Sequence, residues 1–280
     1  MKKILVPCDF TITAVNAFRY ALDVAKQSNG TVHLIYVLEM PVLHDSVLMP
    51  TLYFEKAFLN DVQTATQERF EKMIAKFNTG KVNVTAKVEF GVPSKAIQDY
   101  VKKHAIDVVI MGSHGASGVK EFVIGSNAAK IVRTSVVPVL VVKDRPRGPV
   151  KRIVFPHALP DVEQADLIMK VKALQSFFKA HLFLVWINTP LNFTPDTITR
   201  PKLKALAKQF ELKNCTMDIF NYSSSGDGII AYAESVKANL IAMGTHGRTG
   251  VAHVLNKSIA EHVVNHVSTP VWTVVTKEGK

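Results

Sequence analysis

Hydrophobic residues alternate along this chain between two rhythms. Short runs dense in valine and isoleucine lie at Lys2 to Pro7, Thr31 to Val37, Lys81 to Glu89, Asp107 to Met111 and Val137 to Val142, each bounded by Gly, Pro or polar clusters. Runs of that kind read as strands buried on both faces of a parallel sheet. Between them the spacing is helical. The clearest stretch carries Phe70, Met73, Ile74 and Phe77, an i, i+3, i+4, i+7 stripe that buries one face against a sheet and is core rather than a cofactor box. Ile153 to Pro156, His181 to Ile187, Cys215 to Asn221, Leu240 to Met243 and Val271 to Val275 form a second strand series. The alternation predicts an α/β fold with an open parallel sheet of five strands in each half, helices on both faces and right-handed crossovers.

The two series are copies of one another. Val109-Ile110-Met111-Gly112-Ser113-His114-Gly115 returns as Ile241-Ala242-Met243-Gly244-Thr245-His246-Gly247. Lys3 to Pro7 matches Arg152 to Pro156 at an offset of 149, whereas Gly112 to Gly244 and Pro138 to Pro270 are offset by 132. The second copy is therefore shorter by 17 residues, and the missing stretch falls where the first has Met40 to Leu59. A repeat of this length predicts two domains: residues 1–143, a linker over 144–151, and residues 152–277. The connection, Lys143-Asp144-Arg145-Pro146-Arg147-Gly148-Pro149, is charged, rich in Pro and Gly, and short enough that the halves are expected to pack together.

Composition narrows the class. Apolar residues at 48% and charged residues at 20% fit a globular protein with well-filled cores. No apolar run reaches the roughly 18 residues of a membrane span, and no signal-peptide pattern precedes the first strand, so the expected location is cytoplasmic and membrane association is not expected. Cys8 and Cys215 form no disulfide framework, in keeping with a reducing compartment. The net charge of +11 raises nucleic acid as a partner, but the lysines are scattered at helical spacing without aromatic interleaving or a nucleic-acid-binding motif. A solvated basic surface is the reading adopted.

The informative chemistry lies at strand ends, where ligands bind in open α/β sheets. Asp9 follows the first strand, Val37 closes the second and Gly112 closes the fourth. Gly112 and Gly115 are expected to let backbone approach a ligand, and Gly125-Ser126-Asn127 opens a helix running to Thr134. The first amides of a helix lack intrahelical partners and, with the helix dipole, make an anion site. Gly-x2-Gly-x9-Gly-Ser therefore reads as a phosphate cradle, with the Ser126 hydroxyl adding a bond or capping the helix. The alternative is a tight strand-to-helix connection that needs its glycines for turns alone. Gly-x4-Gly-Lys-Ser/Thr and Gly-x-Gly-x-x-Gly are both absent.

Taken together, Ile4-Leu5-Val6-Pro7 with Asp9, the Gly112 to Ser126 signature and the closing Ser135 to Val142 strongly resemble the universal stress protein family in its tandem two-domain form, with the signature of its ATP-binding branch. The resemblance covers essentially the whole chain apart from the linker and tail. It implies two Rossmann-like, adenine nucleotide α-hydrolase-like domains. By resemblance, Asp9 contacts the adenine side, the Val37 backbone reads the base edge, and Pro7 and Met111 line the base pocket. Gly112 and Gly115 pass the ribose and phosphates, with His114 between them, while Gly125, Ser126 and Asn127 bind the β- and γ-phosphates. Mg²⁺ or Mn²⁺ is then held mainly by the phosphates.

The second copy departs from that pattern. Ala158 stands in register with Asp9, and Lys257 stands where the first copy has Gly125. Both changes weaken an ATP site, although a lysine there can instead pair with phosphate. In the family such a half supplies a pseudo-twofold partner, so an intramolecular pair of domains is expected, with the closing strands as contact elements; further association into a homodimer is left open. His262 and His266 are spaced i, i+4 but lack a third ligand in sequence and read as a solvated helical face. Cys8 reads as a small buried side chain rather than a redox thiol. His114 and His246 are expected to brace their loops, and His114 is the candidate proton carrier for hydrolysis. With no arginine finger or carboxylate evident beside the γ-phosphate, the expected function is a nucleotide-gated stress-response regulator acting on an unidentified protein partner, with at most slow hydrolysis or autophosphorylation. The alternatives are an ATP-consuming enzyme, and a carrier or scaffold that takes another small or apolar ligand in the second half near Trp186, Phe193 and Tyr222.

Overall fold

A computed structural model of the chain describes residues 1–39, 56–113, 124–146, 148–157, 164–246 and 259–276. Ten strands join into one sheet. Those of the first half are β1 (Lys3–Pro7), β2 (Thr31–Leu38), β3 (Asn83–Phe90), β4 (Val108–Gly112) and β5 (Val139–Val142). Those of the second are β6 (Arg152–Pro156), β7 (His181–Asn188), β8 (Cys215–Asn221), β9 (Leu240–His246) and β10 (Val271–Thr276). The spatial order is β3-β2-β1-β4-β5-β10-β9-β6-β7-β8. All neighbours are parallel except β5 and β10, which pair antiparallel with Val271 opposite Val141 and Trp272 opposite Leu140. Each half therefore keeps the order 3-2-1-4-5, and a pseudo-twofold axis passes between the two closing strands.

The helices follow from the crossovers. In the first half they are α1 (Ile12–Ser28), α2 (Lys56–Phe77), α3 (Pro93–His104) and α4 (Ser126–Thr134); in the second, α5 (Ala165–Phe178), α6 (Asp196–Gln209), α7 (Ser225–Ser235) and α8 (Ile259–His266). Because right-handed connections run one way from β1 to β3 and the other way to β4 and β5, α1 and α2 cover one face and α3 and α4 the other. The core divides accordingly. Ala17, Phe18 and Phe70 pack with Leu167, Ile168 and Leu203 on one face, and Ile97, Ile131 and Val132 with Ile229 and Val263 on the opposite face. The Phe70 stripe is core, as its spacing predicts: Phe70 is buried, with Ile74 and Phe77 packed beside it.

Local chemistry sets the element ends. Thr11 caps α1 by accepting from the Ala14 N–H, and Asn29 ends it in the left-handed region at φ 48°. Asp107 accepts from the N–H groups of Lys2 and Lys3 at 2.6 and 3.0 Å, and Asn239 receives Lys151 and Arg152 at 3.0 Å each. The same device thus starts β1 and β6. β3 begins at Asn83 rather than Lys81 because the Asn78 side chain brackets Val82, accepting from its N–H and donating to its carbonyl, while Lys81 sits at φ 50°. β9 runs three residues past Met243, since Gly244, Thr245 and His246 pair in parallel with Val274, Val275 and Thr276. No helix among the described residues is long and apolar enough to cross a membrane.

Candidate functional site

The first-half residues singled out in the sequence gather at the carboxyl end of β1, β2 and β4. Beyond partly exposed Pro7 the chain turns. The Cys8 N–H donates to the Ile35 carbonyl, which seats the Cys8 side chain in the core at 3% exposure. Burial, aided by the negative charge of Asp9, pushes the thiol up to about 12, so Cys8 holds its proton and is a packing residue. Asp9 accepts from the Thr11 N–H at 3.1 Å and the Thr11 hydroxyl at 2.6 Å, both through Oδ1. No hydrogen bond to its Oδ2 is found among the described residues.

Phe10 is an element the sequence reading missed. It lies at φ 65°, a conformation that costs a residue with a Cβ about 1 kcal/mol or more. Ring packing holds it there, with centroids 4.9 Å from Phe70 and 5.8 Å from Tyr36, and the Arg69 guanidinium lies 3.9 Å over its face. The bend at Phe10 directs the chain from Asp9 into α1. An aromatic after the aspartate was visible in the sequence, but its partners came from β2 and α2.

Across the site, Val37 is half-buried near the end of β2, and Met111 is buried just before Gly112. The structure adds a packing reason for Gly112. A Cβ there would lie 2.7 Å from Thr13 Oγ1, 2.8 Å from the Thr13 carbonyl carbon and 2.9 Å from Ala14 N. The glycine allows close approach to the first turn of α1. Ser113 then donates its N–H to Val142 and accepts from the Gly125 N–H at 2.8 Å, so the loop is closed at its base. His114 and Gly115, with their assigned contacts, lie outside the described residues.

Gly125 is the N-cap of α4 at φ −58°, a backbone angle any residue adopts. As the cap it brings no side-chain acceptor, and the first turn holds no acid. Ser126 and Asn127 are exposed, and no described residue accepts from their N–H groups. This end of α4 combines donors without a partner among the described residues with the positive end of the helix dipole.

The second half has the same frame with a different lining. Gly244 again allows a close approach, here to the Leu167 Cδ2 at 2.9 Å and Thr276 Cγ2 at 3.1 Å. Buried His157 follows β6, while Ala158, Lys257 and Ser258 lie outside the described residues. α8 differs from α4 in two further ways that aligning them at the 132-residue offset would have exposed. Ile259 replaces Asn127 and is 48% exposed, and Glu261 replaces Ala129, placing a carboxylate in the first turn. Glu261 accepts from Arg133 of the first half at 2.7 Å. α8 thus carries a cross-half ion pair where α4 carries Ala129.

The remaining candidates resolve by position. The His262 ring donates through Nε2 to Asp227 Oδ1 at 2.8 Å and stacks on His266, whose Nδ1 reaches the His262 carbonyl. The Ser224 hydroxyl and then His262 hold the Asp227 carboxyl below its ordinary range. No group of three or more His, Cys, Asp or Glu among the described residues is placed to hold a metal ion. Trp186 packs on the α5 and α6 side of the sheet, whereas Tyr222 lies against Gly228 of α7 on the other, and Phe193 is 68% exposed. These three aromatics do not line one pocket.

Comparison with known proteins agrees with this frame. The model of the Universal stress protein family matches residues 1–143 and 193–275. Universal stress protein MJ0531 of Methanocaldococcus jannaschii is 27% identical over 142 residues, covering 51% of this chain and 82% of that protein. The putative universal stress protein SSP1056 of Staphylococcus saprophyticus is 31% identical over 148 residues, 51% of this chain and 83% of its own. Among solved structures, a universal stress protein from Archaeoglobus fulgidus superposes with a TM-score of 0.73 at 19% identity, covering 99% of this chain and 97% of that one. A putative universal stress protein from Pseudomonas aeruginosa UCBPP-PA14 gives 0.63 at 16%, with 98% and 93% covered. The structures show the fold, the curated relatives match about half of the chain each, and the family match spans most of its length: the chain belongs to the universal stress protein family.

Proposed function

We propose that the first half binds one ATP across the carboxyl ends of β1, β2 and β4. Asp9 takes the adenine side, the Val37 backbone meets the base edge, and Pro7 and Met111 line the base. Gly112, which also seats α1 against the site, and Gly115 pass the ribose and phosphates with His114 between them, and Gly125, Ser126 and Asn127 receive the β- and γ-phosphates at the start of α4. Mg²⁺ or Mn²⁺ is carried by the phosphates. The observation that carries the reading is the start of α4, which opens on glycine with no acid in its first turn, while in α8 the Glu261 carboxylate stands at the position of Ala129. A helix start with unpaired N–H groups and no carboxylate is a place for phosphate.

The biological reading extends to a cytoplasmic regulator gated by nucleotide. A ligand that binds only the folded state stabilises it by about 2.7 kcal/mol at a concentration of 100 Kd, and it shifts any conformation that exposes a partner surface. Isothermal titration of the full chain with ATP and MgCl₂ tests the site. The parent is expected to bind one equivalent, with Asp9→Ala and Gly125→Lys each weakened by about tenfold or more. Parent-like affinity in both variants would contradict the assignment.

A further inference from the structure

The antiparallel junction dictates where the halves touch. Because Val271 faces Val141, the start of β10 lies at the carboxyl end of β5, and the turn joining α8 to β10 is brought to the ligand end of the first half. Asn265, in the last turn of α8, makes two contacts there. Its Oδ1 accepts from the Ile124 N–H at 2.7 Å, and its backbone carbonyl accepts from Lys143 Nζ at 2.6 Å. The Lys143 carbonyl in turn accepts from the Asn16 side chain of α1 at 3.2 Å. Ile124 is buried and immediately precedes Gly125, whose own N–H closes the loop onto Ser113. Lys143 is partly buried, and burial lowers its pKa, so the Asn265 carbonyl supplies a hydrogen bond that water provides only in part.

The same turn in the other half reaches back differently. Arg133 stands 132 residues before Asn265, and it delivers a cation to the Glu261 carboxylate on α8. One crossing contact thus fixes the backbone at the exit of the glycine loop, and its counterpart joins two side chains between helices.

We propose that Asn265 of the second half is a positioning residue for the first half's ligand site: it holds the loop exit at Ile124 so that the start of α4 is preset to receive phosphate. The inference rests on the nucleotide reading above. It gives the second half a role that needs no ligand of its own, and by linkage a ligand on the first half tightens the packing of α8.

The test is titration of the full chain with ATP and MgCl₂, paired with amide hydrogen exchange at Ile124. Asn265→Ala leaves the Ile124 N–H unpaired, so ATP affinity is expected to fall about tenfold, with faster exchange at Ile124 in the ligand-free protein. Asn265→Gln, which carries the amide one methylene too far, is expected to fall between parent and Asn265→Ala. Arg133→Gln breaks the reciprocal tie without touching the loop and should keep ATP affinity within about twofold; thermal unfolding checks that all three variants fold. Parent-like affinity in Asn265→Ala, or an equal loss in Arg133→Gln, overturns the proposal while leaving the nucleotide reading intact. Failure of the parent to bind ATP overturns both.

Discussion

Replacing Gly112 by alanine asks whether this glycine is held by the fold or by a ligand. The new methyl carbon would stand 2.7 Å from Thr13 Oγ1, 2.8 Å from the Thr13 carbonyl carbon and 2.9 Å from Ala14 N. Ordinary carbon contacts begin near 3.5 Å, so the overlap is roughly 0.6 to 0.8 Å. Two of the three atoms are backbone and cannot rotate away. α1 must shift instead, and its Ala14, Ala17 and Phe18 are buried. Overpacking costs about 1–3 kcal/mol, and a clash with backbone belongs at the upper end, about 2–3 kcal/mol. Gly244→Ala is the internal control. Its nearest neighbours are Leu167 Cδ2 at 2.9 Å and Thr276 Cγ2 at 3.1 Å, ends of side chains that can turn aside, for about 1 kcal/mol or less. Urea unfolding of the ligand-free proteins, followed by far-ultraviolet circular dichroism and tryptophan fluorescence, measures both. Parent-like stability in Gly112→Ala, or a larger loss in Gly244→Ala, would refute the reasoning.

Three other outcomes follow from the same geometry. Burial raises the Asp107 pKa, but the backbone N–H groups of Lys3 and Lys2, together with the positive charges of the N-terminus and Lys3, hold the folded value below its ordinary range. Asp107 thus contributes stability above its unfolded pKa that is lost as pH falls through the folded value; Asp107→Asn, which copies Asn239, should show a shallower decline in Tm between pH 5 and pH 2, and an unchanged decline would count against it. Since burial pushes the Cys8 thiol up to about 12, a disulfide reagent at pH 8 should leave Cys8 unmodified in the native protein and label both Cys8 and Cys215 in denaturant, as peptide mapping will show. Glu261→Gln removes a carboxylate only 14% exposed that faces Arg133 and should lower stability by about 1–3 kcal/mol in urea unfolding; a change within error would mean that this cross-half pair contributes nothing.

Much of the fold was legible because a parallel sheet buried on both faces leaves little choice of residue. Runs such as Ile4-Leu5-Val6 and Val108 to Met111 are apolar without alternation, and the helical stripes beside them fix which elements cover the sheet. Ends were less legible where a single contact sets them, as the Asn78 side chain does for β3 and the backbone pairing with β10 does for β9. At the site, Asp9 and Gly112 could be placed from the predicted strand ends, and Gly125 from the helix it opens. The left-handed Phe10 under Arg69 could not, because its stability comes from Tyr36 and Phe70. Nor could Asn265, whose meeting with Ile124 is created by the antiparallel pairing of β5 with β10. Glu261 was within reach: aligning α8 on α4 shows a carboxylate where the first copy has Ala129.

The central claim is one nucleotide site per chain, in the first half. Mass spectrometry of the small molecules released on denaturing protein first saturated with ATP and MgCl₂ and then freed of excess, quantified per chain, tests it directly. The account predicts about one ATP per chain in the parent and little in Gly125→Lys. Two per chain, or none with no binding detected by titration, would contradict it.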